Sequence, residues 1–82
     1  MRVEIFEKIV AILEKQLAID RTMISAESLI GSDLGADSLD TAEIAMMIKD
    51  EFAYDLTDDD ISNIKTVKNI CEILESNCME KK

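Results

Sequence analysis

Apolar residues recur at helical spacing from residue 3 to about 17. Val3, Phe6, Ile9, Val10, Leu13 and Leu17 form a stripe, while Glu4, Glu7, Lys8, Glu14 and Lys15 take the outer face. This predicts an amphipathic first helix, with Glu4 and Lys8 as a favourable pair four residues apart. From Ala18 to Asp37 the period breaks, and Asp20, Thr22, Ser25, Ser28, Gly31, Ser32 and Asp33 alternate with spaced apolar residues. A loop this long in a small domain is unusual and is often functional. Its apolar residues Ile24, Leu29, Ile30 and Leu34 are expected to pin it to the core, with a short helical turn around Ser25 to Leu29. The helical period resumes at Ser38 and runs to about residue 53. Thr57 with Asp60 three residues later resembles a capping box, so a short third helix starts there, with Ile61 and Ile64 pointing inward. Thr66 then caps a last helix from Val67 to about Ser76, with Val67, Ile70, Cys71, Leu74 and Cys78 as its stripe; residues 79–82 read as a frayed tail.

The second helix departs from the ordinary pattern. At about 100° per residue, Ile44, Ala45, Ile48 and Phe52 fall on one side and form the core face. Leu39, Ala42, Glu43, Met46 and Asp50 fall on the other, where a surface helix ordinarily carries polar residues alone. Apolar groups ringed by carboxylates suit a transient binding patch, with adaptable contact in the middle and steering charge at the rim. The plainer reading is that Leu39 and Met46 pack under a neighbouring loop.

No strand alternation or repeat appears. The expected fold is all-α: a small antiparallel bundle of three main helices and one short one, with a long loop between the first and second. Residues 1–82 are expected to form a single domain with a modest core. The net charge of −9 is unevenly spread: residues 26–60 hold eleven acids against Lys49 alone. Such a stretch repels nucleic acid and anionic membranes and draws basic partners. There is no histidine, which excludes Ser-His and Cys-His catalysis. The three consecutive aspartates 58–60 lack the glycine and closing glutamate of a calcium loop. Cys71 and Cys78 are too far apart along one helix to bridge, are not at metal-ligand spacing, and fit a reducing compartment. No long apolar run, membrane span or leader is evident, so a cytoplasmic monomer is expected.

Candidate chemistry gathers where the loop meets the second helix. Asp37 and Ser38 can both cap the first turn, and Asp40 places a carboxylate at the positive end of the helix dipole. Gly35 permits backbone angles closed to other residues and removes a side chain from the approach. The run Asp33-Leu34-Gly35-Ala36-Asp37-Ser38-Leu39-Asp40, continued by Glu43, Met46, Glu51 and Phe52, resembles the phosphopantetheine-attachment motif of the acyl carrier proteins, in particular those of fatty acid synthesis.

That resemblance implies that Ser38 carries 4′-phosphopantetheine, donated by coenzyme A, through a phosphodiester on its hydroxyl. Gly35, Asp37, Leu39 and Asp40 would frame the group, and Asp37 would help to position the modifying transferase or its metal ion. It further implies a non-catalytic carrier that holds acyl groups as thioesters and passes them among fatty acid synthesis enzymes with basic docking patches. Leu39, Ala42, Glu43, Met46, Asp50 and Glu51 are the expected docking residues. Ile30, Ile48, Leu56, Ile61 and Ile64 are the expected lining for an acyl chain folded into the core. Lys49, Gly31 and Ala42 depart from the family's usual acid, larger side chain and branched residue. A carrier for polyketide, nonribosomal peptide or another specialised pathway is the neighbouring alternative. An unmodified acidic adaptor is the alternative of a different class.

Overall fold

The computed structural model describes residues 3–77. Within them α1 spans Val3–Leu17, α2 Ser38–Phe52, α3 Asp58–Asn63 and α4 Val67–Asn77. All are helices, as the periodicity requires, and no strand forms among the described residues beyond an isolated antiparallel bridge between Leu29 and Thr66. Cys78 and the expected tail at 79–82 lie outside the described residues.

Helix α1 packs against both α2 and α4. Facing two neighbours widens its buried arc. Ile5, Ile9, Val10, Ile12 and Leu13 are buried, so Ile5 and Ile12 join the stripe that spacing predicted, while Val3 is exposed and Phe6 and Leu17 are half-buried. From α4, Val67, Ile70, Cys71 and Leu74 enter the same core, together with Ile44 and Ile48 from α2. Burial pushes the Cys71 thiol up to about 11, since a thiolate there would lose its water.

The loop between α1 and α2 is anchored by its apolar residues and by its backbone. Ile24, Ile30 and Leu34 are buried as expected, while Leu29 is 41% exposed. At Ser25 to Leu29 the expected turn is a single hydrogen-bonded one that does not continue as a helix. In it the Ser28 N–H donates to Ser25 O at 3.1 Å and the Ser25 N–H returns to the Ser28 hydroxyl at 3.0 Å. A short 3₁₀ turn also forms earlier, at Arg21–Met23, where the Asp20 side chain accepts the Thr22 N–H and caps it. The loop is then tied to the start of α4. Ile30 N–H donates to Lys65 O at 2.9 Å, Val67 N–H to Ser28 O at 3.2 Å and Lys68 N–H to Ala26 O at 2.8 Å. Thr66 and Asn69 cap α4 reciprocally, through Asn69 N–H to Thr66 Oγ1 and Thr66 N–H to Asn69 Oδ1.

Helix α3 begins at the capping box that the sequence predicts. Asp60 N–H donates to Thr57 Oγ1 at 3.0 Å, and Thr57 N–H returns to Asp60 Oδ2 at 3.1 Å. The Tyr54 hydroxyl donates to the same carboxylate at 2.7 Å. These bonds favour the ionised form and hold Asp60 below its usual range, with the Tyr54 bond the largest cause.

Candidate functional site

The turn before α2 is built by Asp33 and Gly35. Asp33 Oδ2 accepts the Leu29 N–H at 2.8 Å, which closes the turn on the loop side. Gly35 sits at φ +79°, a conformation that costs a residue with a Cβ about 1 kcal/mol or more. A Cβ built there meets nothing within 4 Å, so the glycine is required by backbone angle and not by crowding. Gly35 N–H reaches Gly31 O and Ala36 N–H reaches Ile30 O, both at 3.1 Å, and the chain then enters α2.

Asp37 alone is the N-cap, and Ser38 is the first helical residue. Asp37 Oδ1 accepts the Asp40 N–H at 2.9 Å, and Asp40 Oδ2 accepts the Asp37 N–H at 3.2 Å. Thr41 reinforces the start by donating both its N–H and its hydroxyl to Asp37 O. The other Asp40 oxygen accepts from Gln16 Nε2 at 3.3 Å, tying the end of α1 to the start of α2. Asp40 is therefore committed internally. Gln16 is a positioning residue that sequence spacing did not single out, because the contact spans 24 positions and no local pattern marks it.

This division of labour leaves Ser38 free. It is exposed, and its hydroxyl makes no hydrogen bond to the described residues. Nor do the N–H groups of Ser38 and Leu39 find a protein acceptor among them. An oxyanion on the Ser38 oxygen would meet two unpaired donors and the positive end of a 15-residue helix. The residues present thus fit a phosphodiester at this position.

Along α2 the amphipathic split is realised. Leu39 and Met46 are 74% and 68% exposed, so neither is covered by a loop. Ala42, Glu43 and Asp50 are exposed with them on one face. Glu51 is not part of that group: its carboxylate pairs with Lys8 of α1 at 3.4 Å and lies at the α1–α2 seam. Lys49 pairs with Asp55 at 3.7 Å, both well exposed.

On the other side of α2 lies a partly open cavity of about 310 Å³, lined by residues of α2, α3, α4 and the connecting loops. Ile30, Ile48, Leu56, Ile61 and Ile64 all line it, so the structure brings the five predicted lining residues together. Ala36 and Thr41, which flank Ser38 in sequence, line it as well. Thr41, Ile44 and Ile70 were not among the predicted lining residues. The α2 wheel places the first two on this side, but the approach of Ile70 from α4 has no local signature. Ile61 and Ile64 are half-buried because they face this space rather than solid core.

A family model for the phosphopantetheine attachment site matches residues 7–74, which includes every element just described around Ser38. The chain belongs to the acyl carrier protein family. The acyl carrier protein of Phaeodactylum tricornutum (strain CCAP 1055/1) is 43% identical over 72 residues, covering 88% of this chain and 95% of that one. The chain is accordingly an acyl carrier with a 4′-phosphopantetheine attachment domain, and acyl carrier proteins are carriers rather than catalysts. Such a carrier must interact with the enzymes that load and unload it. Among the described residues no helix is long and apolar enough to cross a membrane, and no group of three or more Cys, Asp or Glu is placed to hold a metal ion.

Proposed function

We propose that Ser38 is the attachment point of 4′-phosphopantetheine and that the carrier serves fatty acid synthesis. The observation that carries the attachment is the exposed, unbonded Ser38 hydroxyl on the first residue of α2, beside two N–H groups with no protein acceptor. When bound, the group supplies a terminal thiol on which acyl chains are held as thioesters. Asp37 keeps the serine available by taking over the cap. The Ser38 and Leu39 N–H groups stabilise the phosphodiester charge, and Gly35 leaves its surroundings open.

Leu39, Ala42, Glu43, Met46 and Asp50 form the docking face for enzymes with basic patches. The exposed Leu39 and Met46 support adaptable apolar contact, and the acidic stretch around them supports fast, steered encounter. Glu51, neutralised by Lys8, contributes less to it. The cavity behind α2 receives the acyl chain against Ile30, Ile48, Leu56, Ile61 and Ile64. The acidic face and the similarity to a protein named acyl carrier protein support the fatty acid pathway over a specialised one.

The test is the intact mass of the protein before and after incubation with coenzyme A and a phosphopantetheinyl transferase, beside Ser38→Ala. A gain of one phosphopantetheine on the native chain, absent from the variant, is expected. A bare native chain after incubation would overturn the assignment. For the pathway, the loaded chain is expected to support fatty acid synthesis by purified elongation enzymes; no turnover with those enzymes would refute it.

A further inference from the structure

The cavity behind α2 has an apolar floor and an uneven rim. Ile44, Ile48 and Ile70 are fully or nearly fully buried and close the floor. Gly31, Ser32 and Lys65 are exposed lining residues and belong to the rim. Lys65 is the one charged residue among the described residues that line this space. Although the chain holds 18 acids, the Lys65 ammonium pairs with no carboxylate among the described residues. Its backbone is fixed on both sides, since Lys65 O accepts the Ile30 N–H and Lys65 N–H donates to Asn69 Oδ1, each at 2.9 Å. The cation is thus anchored at its base and unpartnered at its tip.

The rim beside it, next to the Ile30–Lys65 bond, is small and polar. Gly31 offers no side chain, and a Cβ there would touch only Ala36 O at an ordinary 3.8 Å. The missing side chain therefore leaves room and relieves no clash. The Ser32 hydroxyl has no hydrogen-bond partner among the described residues. A lysine at the edge of an apolar cleft lays its stem along the wall and keeps its ammonium in water.

We propose that Lys65 is a specificity-determining residue that favours short acyl groups bearing a carboxylate over uncharged acyl groups of the same length. This rests on the carrier reading above. The floor has nothing to pair with a carboxylate, and burying one unpaired is strongly unfavourable. A short chain ending in a carboxylate therefore stays at the rim. There Lys65 supplies an opposite charge and Ser32 an O–H donor. Residues 26–60 carry a net −10, so without Lys65 the local field would repel such a group. An uncharged chain of equal length settles on the floor and draws nothing from the ammonium.

The test loads the native chain and Lys65→Met with succinyl- or butyryl-phosphopantetheine from the corresponding coenzyme A thioesters, and compares their melting temperatures. Methionine keeps an unbranched apolar stem and removes the charge. Lys65→Met is expected to lower the melting temperature of the succinyl form by about 3 °C more than that of the butyryl form, the size of one partly exposed ion pair in a domain this small. The excess is expected to shrink in 0.5 M sodium chloride. Equal shifts for the two acyl forms would overturn the proposal. So would an equal loss in the unacylated phosphopantetheine form, because the anion met by Lys65 would then be the phosphodiester. A native chain that takes up no phosphopantetheine by mass would overturn the attachment reading and this proposal together. A native chain that loads normally but shows no succinyl excess would overturn this proposal alone.

Discussion

Replacing Asp37 separates its structural role from its charge. Asp37→Ala removes one bond outright, the Asp40 N–H to Asp37 Oδ1 contact at 2.9 Å. The backbone carbonyl of residue 37 still accepts from the Thr41 N–H and hydroxyl, so the helix start is weakened and not abolished. The site is exposed and water can reach the orphaned N–H, which puts the loss at about 1 kcal/mol rather than the upper end of the capping range. Two charge effects oppose each other. A carboxylate at this helix end gains a few tenths of a kcal/mol from the dipole. The same carboxylate stands within a stretch of net −10, and its removal relieves repulsion of similar size. The hydrogen bond therefore decides the outcome. Thermal melts followed by circular dichroism should show Asp37→Ala about 4–8 °C below the native chain, and Asp37→Asn, which keeps the acceptor, within about 2 °C of it. An asparagine variant as unstable as the alanine variant would show that charge and not the cap stabilises this helix start. Asp37→Ala melting with the native chain would show that the cap contributes nothing.

Three further outcomes follow from single features of the fold. Ala53 closes α2 in the left-handed region, at φ 56°, where glycine is at home. Ala53→Gly should stabilise the chain by roughly 0.5–1 kcal/mol in a denaturant melt, and a destabilised variant would refute that account. Asp60 is held below its ordinary value of 3.8, so its contribution to stability is complete above that pH and fades as pH falls through the lower, folded-state value. Tyr54→Phe removes the largest cause of that shift and should move the acid-unfolding midpoint to higher pH; an unchanged midpoint would count against the bond. Cys71 is buried and its thiol is raised to about 11, so it should resist alkylation at pH 8 in the native chain and react once the chain is unfolded in urea. Equal rates in both states would mean that α4 opens readily.

Local chemistry wrote most of the candidate site into the sequence. Asp37 and Asp40 cap each other across three residues and Gly35 sets its own backbone angle, so these features could be read locally. The helices over 3–17, 38–52, 58–63 and 67–77 were legible for the same reason: period and caps are local properties. The choice between Asp37 and Ser38 as the cap needed the backbone, because both residue types can cap and only the angles at 37 decide. Tertiary structure also decided what lay beyond one helix. Packing on two neighbours buried Ile5 and Ile12 and left Val3 out. Lys8 paired with Glu51 across the α1–α2 seam, and Gln16 claimed Asp40 across 24 positions. The cavity itself exists because the loop is tied by backbone hydrogen bonds to the start of α4, and that bond set joins Ile30 to Lys65, 35 residues apart in the chain. A sequence pattern encodes which face of each helix is apolar. It does not encode how far apart the faces of two helices come to rest, and in this chain that separation makes the space behind α2.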